Sequence, residues 1–236
     1  NTGDYRFLDG FIEKDELSLY GFDGGFAFIV RLTFKGDLFK GNLFWGKSTQ
    51  RKLKGVKDDL ATLKNPLEMV GFQKDKKINF QLKNLKDESV SLSNKRFKDK
   101  VKVIQIFGSW CPNCIDETKY FINWRKNNPE KLNNVAFLAV AFEYFDTKKR
   151  AIKELQKLKN KLDWDYPLLL GDFKGTDKIT EIFPIEKVMA FPTTLFLSKD
   201  NKLKKVHTGF SGQATGVFFK KFQDEFESIL LELETL

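Results

Sequence analysis

The chain has 236 residues, enough for one large domain or two modest ones, and its 41% apolar and 14% aromatic content excludes a disordered protein. The net charge of +9 is carried almost wholly by Lys, interleaved with Asp and Glu in every segment; with six Arg in all, a solvated basic surface is expected and no nucleic-acid partner. No apolar run approaches the ~18 residues of a membrane helix, and two Cys three positions apart cannot make a structural disulfide framework.

The chain opens Asn1-Thr2-Gly3 and reads as a mature or trimmed fragment. Tyr5-Arg6-Phe7-Leu8 and Leu17-Ser18-Leu19-Tyr20 are expected as short strands around Glu13-Lys14-Asp15. The turn Asp23-Gly24-Gly25 leads into a strand from Phe26 to Phe34. Lys35-Gly36-Asp37 turns the chain into Leu38 to Trp45, and Lys52-Leu53-Lys54-Gly55-Val56 closes the set. This spacing suits a sandwich or barrel, and the sheet must bury one face. The expected division is a β-rich N-terminal domain over 1–60, a linker over 61–73 around Asn65-Pro66, and a second domain over 74–236.

From Ile78 onward strands and helices alternate. Val101 to Phe107 and Val135 to Phe142 read as buried strands, with a helix from Pro112 to Lys126 stopped by Asn127-Asn128-Pro129. Lys148 to Leu162 reads as an amphipathic helix, and Leu168 to Leu170 as a short strand. Thr193 to Leu197 and Lys204 to Thr208 form a hairpin around Lys199-Asp200-Asn201. A last helix spans Ala214 to Leu231, with Val217, Phe218, Phe222, Phe226 and Ile229 on its inward side. The order predicts an α/β domain with a mixed sheet flanked by helices, preceded by a smaller antiparallel β domain.

Trp110-Cys111-Pro112-Asn113-Cys114 stands where a buried strand hands over to a helix. Unpaired N–H groups and the positive dipole end at a helix N-terminus favour thiolate over thiol, and the thiolate is the nucleophile in disulfide exchange. The spacing lets one helical turn bring the two sulfurs together. Cys111, at an exposed first position, would attack, and the deeper Cys114 would resolve the mixed disulfide. Zinc is the rival for such a pair, but a structural site wants four ligands, and the chain offers two Cys and the distant His207; no metal is expected. His207 reads as a strand residue. Glu117, one turn after Cys114, reads equally as its proton partner or as an acid complementing the helix dipole, as Asp116 does.

The stretch Phe107 to Cys114, followed by Glu117, resembles the active site of TlpA/ResA-type thioredoxins, extracytoplasmic thiol–disulfide oxidoreductases. Leu85 to Leu92 with Phe97 to Val101, and Ala190 to Leu197 leading to His207 to Gly212, resemble the family's segment before the active-site strand and its proline loop with closing hairpin. The likeness covers about residues 74 to 230, and the N-terminal β segment resembles, more weakly, the β-rich extension of larger members. The resemblance implies a thioredoxin-like fold and an enzyme reducing disulfides of extracytoplasmic proteins, with Cys111, Cys114 and Glu117 catalytic. It implies that Trp110, Pro112, Phe191 and Pro192 meet the substrate, and that Pro192 is cis, packs on the cysteines, pairs its backbone with a substrate strand and excludes metal. It implies no cofactor, a membrane or soluble thiol electron donor, and a periplasmic chain anchored through a removed N-terminal segment. Asn113 stands where many relatives have Pro, which leaves an oxidant or isomerase open. The chain lacks the Thr and Arg that a peroxidase of this fold wants, and a non-catalytic binding module on the same scaffold is the alternative outside enzymology.

Overall fold

In the computed structural model of the protein, the described residues are 8–22, 27–46, 48–62 and 64–235. They fall into two units, one within residues 6–63 and one from Lys64 onward. The first is an antiparallel meander of β1 (Asp9–Glu13), β2 (Glu16–Phe22), β3 (Ala27–Lys35), β4 (Leu38–Trp45) and β5 (Thr49–Val56), paired in chain order. Its registers align Leu17 with Leu32, Leu19 with Val30 and Val30 with Leu43, so one face is apolar. The opposite face carries Arg31, Lys40, Lys52 and Lys54. Gly36, at φ 59°, supplies the left-handed residue of the turn into β4.

Three expectations for this unit change. Among the described residues the first strand is Asp9–Glu13, with Leu8 outside it; Tyr5, Arg6 and Phe7 of the expected strand, like Asp23 to Phe26, lie outside the described residues. Among the described residues the five strands form one open sheet with β1 and β5 as its edges, not a closed barrel. From Lys64 on, the segment read as a linker packs into the second unit. The Asn65 side chain caps a 3-10 turn at Pro66–Glu68, Val70 is buried, and Phe72 bridges to Ile185.

The second unit begins with the hairpin β6 (Gln81–Asn84) and β7 (Ser89–Ser91). There follow β8 (Val101–Phe107), α1 (Pro112–Asn127), β9 (Val135–Phe142), α2 (Lys148–Lys161), β10 (Leu168–Asp172) and a short α3 (Ile179–Ile182). β11 (Thr193–Leu197), β12 (Leu203–Thr208) and α4 (Val217–Glu234) complete it. The seven strands order as β12-β11-β8-β9-β10-β6-β7, with β8, β9 and β10 parallel and the others antiparallel to their neighbours. Every residue of β8 and β9 is buried, as parallel strands covered on both faces must be. An aromatic core of Tyr120, Phe121, Trp124, Phe137, Phe222 and Phe226 joins α1 and α4 to one sheet face.

The last helix starts three residues later than expected. Gly216, at φ 55°, separates a 3-10 turn at Gln213–Thr215 from α4. This turns Val217 outward, 76% exposed, and puts Phe219 rather than Val217 against the core. Among the described residues no helix is long and apolar enough to cross a membrane.

Candidate active site

The carboxyl end of β8 delivers the chain into a β-turn closed by the Cys111 N–H on the Gly108 carbonyl at 3.1 Å. Cys111 is then the N-cap of α1, with Pro112 in the first turn, where its missing N–H costs nothing. The Cys114 N–H donates to Cys111 Sγ at 3.2 Å, so the sulfur occupies the place a Ser or Asp oxygen takes in an ordinary cap. The two sulfurs are paired as a disulfide across Cα atoms 5.3 Å apart. This position, facing unsatisfied helix N–H groups, is one that stabilises a thiolate.

Beside the pair runs the loop into β11. The Phe191–Pro192 bond is cis, and the Phe191 carbonyl oxygen lies 3.5 Å from Cys111 Sγ. The Pro192 carbonyl instead accepts from the Gly209 N–H at 2.8 Å. The backbone group turned toward the sulfur is therefore that of Phe191. Trp110, 38% exposed, stacks its ring between Phe191 and Tyr144, with centroids 5.1 and 5.4 Å away, and Tyr144 is 61% exposed. An apolar, half-open surface thus borders Cys111, whereas Cys111 itself is 6% exposed and not the open position its place in the motif suggested.

Beneath the pair lies a buried polar cluster. Registers align Gln105 on β8 with Thr194 on β11 and Thr194 with His207 on β12, so all three point to the face α1 covers. Glu117, fully buried, receives Gln105 Nε2 at 2.8 Å and the Thr194 hydroxyl at 2.9 and 3.0 Å. Gln105 Nε2 also reaches the Cys114 carbonyl at 3.2 Å, tying the acid to the cysteine's own turn. Burial pushes the Glu117 carboxyl up to about 8, against the opposing pull of those two donors. At neutral pH it holds a proton that it can lose near the pH at which thiols ionise. His207, also buried, is pushed down to about 4 by burial and stays neutral, edge-on to Phe222. Among the described residues no group of His, Cys, Asp and Glu could hold a metal ion.

The family model described as Redoxin matches residues 73–217, well over half of the chain. The chain belongs to the Redoxin family. Two solved structures share its fold. One, from Chlorobium tepidum, is assigned as the thiol:disulfide interchange protein DsbE; it is 17% identical with a TM-score of 0.51, over 68% of this chain and 99% of that one. The other is the C-terminal domain of a protein from Bacteroides thetaiotaomicron assigned as a thiol–disulfide oxidoreductase, 19% identical with a TM-score of 0.51, over 68% and 97%. No curated protein matches the chain. The fold is the thioredoxin-like one that these two structures share, here with a five-stranded sheet ahead of the Redoxin unit.

Within this unit the structure gathers Cys111, Cys114, Trp110, Pro112, Phe191 and Pro192 at one point, with Glu117 one turn beneath. Three site residues were missed in the sequence. Gln105, like Lys102, interrupts the apolar run of a buried strand, and Glu143 directly follows one; both irregularities are visible in the sequence. Thr194 carries no local signal, since strand register alone brings it under α1.

Proposed function

We propose that the chain is a protein-disulfide reductase in which Cys111 attacks the substrate disulfide and Cys114 resolves the mixed disulfide. The observation that carries the reading is Cys111 Sγ itself: cap of α1, acceptor of the Cys114 N–H, and 3.5 Å from the Phe191 carbonyl. In that place its thiolate is favoured, and a substrate strand along Phe191 meets it side on. The attack of Cys111 breaks the substrate S–S bond and frees one substrate sulfur as a thiol. As Cys114 then attacks Cys111, the bond to the other substrate sulfur breaks, the Cys111–Cys114 disulfide closes, and the substrate leaves as a dithiol. Glu117, protonated at neutral pH, exchanges its proton with Cys114 as the pair opens and closes. Trp110, Pro112, Phe191 and Pro192 border the sulfurs and receive the substrate segment.

The substrates proposed are disulfides of extracytoplasmic proteins, in a periplasmic setting with a thiol donor that re-reduces the pair. Support comes from the interchange role named for the Chlorobium tepidum protein and from two cysteines that leave no third thiol to mispair. Residues 1–60 are proposed as an accessory domain. The near-complete burial of Cys111 favours a second reading, a binding module on a thioredoxin scaffold.

Equilibrating the protein against glutathione or dithiothreitol, with alkylated thiols counted by mass, separates these readings. A potential near the ~−270 mV of thioredoxin is expected, and one near the ~−120 mV of a strong oxidant would reverse the direction of electron flow. Two thiols that form no reversible disulfide would end the enzyme reading in favour of the module.

A further inference from the structure

The β-turn that presents Cys111 has Ser109 and Trp110 as its central residues, and both are fastened to the end of β9. The Ser109 N–H donates to Glu143 Oε1 and the Ser109 hydroxyl to Oε2, each at 2.7 Å. Trp110 Nε1 donates to the carbonyl of the preceding residue, Phe142, at 3.0 Å. Glu143 is itself fixed, since its N–H donates to the carbonyl of Asp172, the last residue of β10, at 3.0 Å. Gly108 leaves room for the arrangement, because a Cβ there would stand 2.2 Å from Trp110 Nε1. Glu143 has no exposed surface, so its carboxyl exchanges water for two donors of one residue, the pairing that a buried polar group requires.

From this geometry we infer that Glu143 is a positioning residue for disulfide exchange: it holds the Ser109–Trp110 turn so that Cys111 Sγ faces both Cys114 and an incoming sulfur. The inference rests on the redox reading of the cysteine pair. Disulfide closure needs the attacking thiolate and the bond it breaks in line, so a turn freed by a fraction of an ångström slows closure even when the fold survives. Because Glu143 acts through Ser109, the effects of the two residues should not add.

The test uses the full reduced chain and 5,5′-dithiobis(2-nitrobenzoate). The Cys111 thiolate displaces one thionitrobenzoate to form a mixed disulfide. The Cys114 thiolate then displaces the second in a unimolecular step, closing the Cys111–Cys114 disulfide. Glu143→Ala is expected to slow the second release about ten-fold or more. Glu143→Gln should recover it to within about three-fold, since an amide can accept the Ser109 N–H and donate to its hydroxyl. Ser109→Ala is expected to fall between them and to add nothing to Glu143→Ala. A second release unchanged in both Glu143→Ala and Ser109→Ala would overturn the inference. So would Glu143→Gln as slow as Glu143→Ala, or additive losses in the double variant. Thermal unfolding of each variant separates loss of fold from loss of position, and Ser109→Ala carries the test if Glu143→Ala does not fold. A wild-type chain that never releases the second thionitrobenzoate would instead overturn the redox reading, and the inference with it.

Discussion

With Glu117 pushed up to about 8 and His207 down to about 4, two buried groups of one polar cluster act on stability with opposite signs. An unfolded Glu ionises near its ordinary 4.5, whereas folded Glu117 keeps its proton to about 8. In that window the folded state binds the extra proton, so stability falls as pH rises. An unfolded His takes a proton below its ordinary 6.5, whereas folded His207 refuses it until about 4. In that window the unfolded state binds more protons, so stability falls as pH falls. The two effects oppose each other between about 4.5 and 6.5, and from 6.5 to 8 Glu117 alone of the pair acts. Urea unfolding at pH 6.5 and 8.5 should therefore show a loss in the wild type that Glu117→Gln lacks, a difference of up to about 2 kcal/mol. Equal losses in the two proteins would mean that Glu117 ionises as an ordinary surface acid. The same proton is the one proposed to move with Cys114, so a flat stability profile would weaken that role too.

At the scale of elements, α4 divides sharply between packed and idle positions. Phe226 meets the rings of Tyr120, Phe121, Trp124, Phe137, Phe196 and Phe222, so Phe226→Ala should cost about 3–5 kcal/mol by denaturant unfolding. Val217→Ala, outside this stripe, should stay within about 0.5 kcal/mol. A large loss at Val217 would restore the earlier helix start that composition alone suggested. That misreading has a physical cause: nothing local in Ala214 to Phe218 except Gly216 marks a helix boundary, and the break is one backbone angle at Gly216. Where the signal is local, the sequence was legible. Val135–Phe142 is a run of apolar residues, and α1 is bracketed by Pro112 and by Asn127-Asn128-Pro129. The pairing of the two cysteines was legible for the same reason, since they lie within one helical turn. What was not legible depends on register between distant strands, which places Gln105 and Thr194 under Glu117, and on the meeting of β9 with the active-site turn at Glu143. The strand Asp9–Glu13 was not expected, although it pairs fully with β2.

The two units of the molecule differ in how much of their own surface they bury. The unit from Lys64 onward has two apolar clusters, one on each side of a seven-stranded sheet, and its site is built from β8, α1, β9 and the loop before β11. In the five-stranded sheet Val30 is the one buried apolar residue among those described, while Phe11, Ile12, Phe22 and Leu38 stand exposed. Apolar burial stabilises by roughly 25 cal/mol per Å², and ordering a chain costs about 1–2 kcal/mol per residue. The first unit cannot offset that cost from its own contacts, whereas the second has the core to do so. A chain of residues 64–236 is therefore expected to unfold cooperatively on heating and to close its Cys111–Cys114 disulfide at a rate within about two-fold of the full chain. A chain of residues 6–63 is expected to show no cooperative transition by circular dichroism and to elute from gel filtration as aggregate. If 64–236 fails to fold, the Redoxin unit needs the sheet for stability. If it folds but closes slowly, the sheet acts on the redox turn itself, and the division into a self-sufficient enzyme and an accessory domain is wrong.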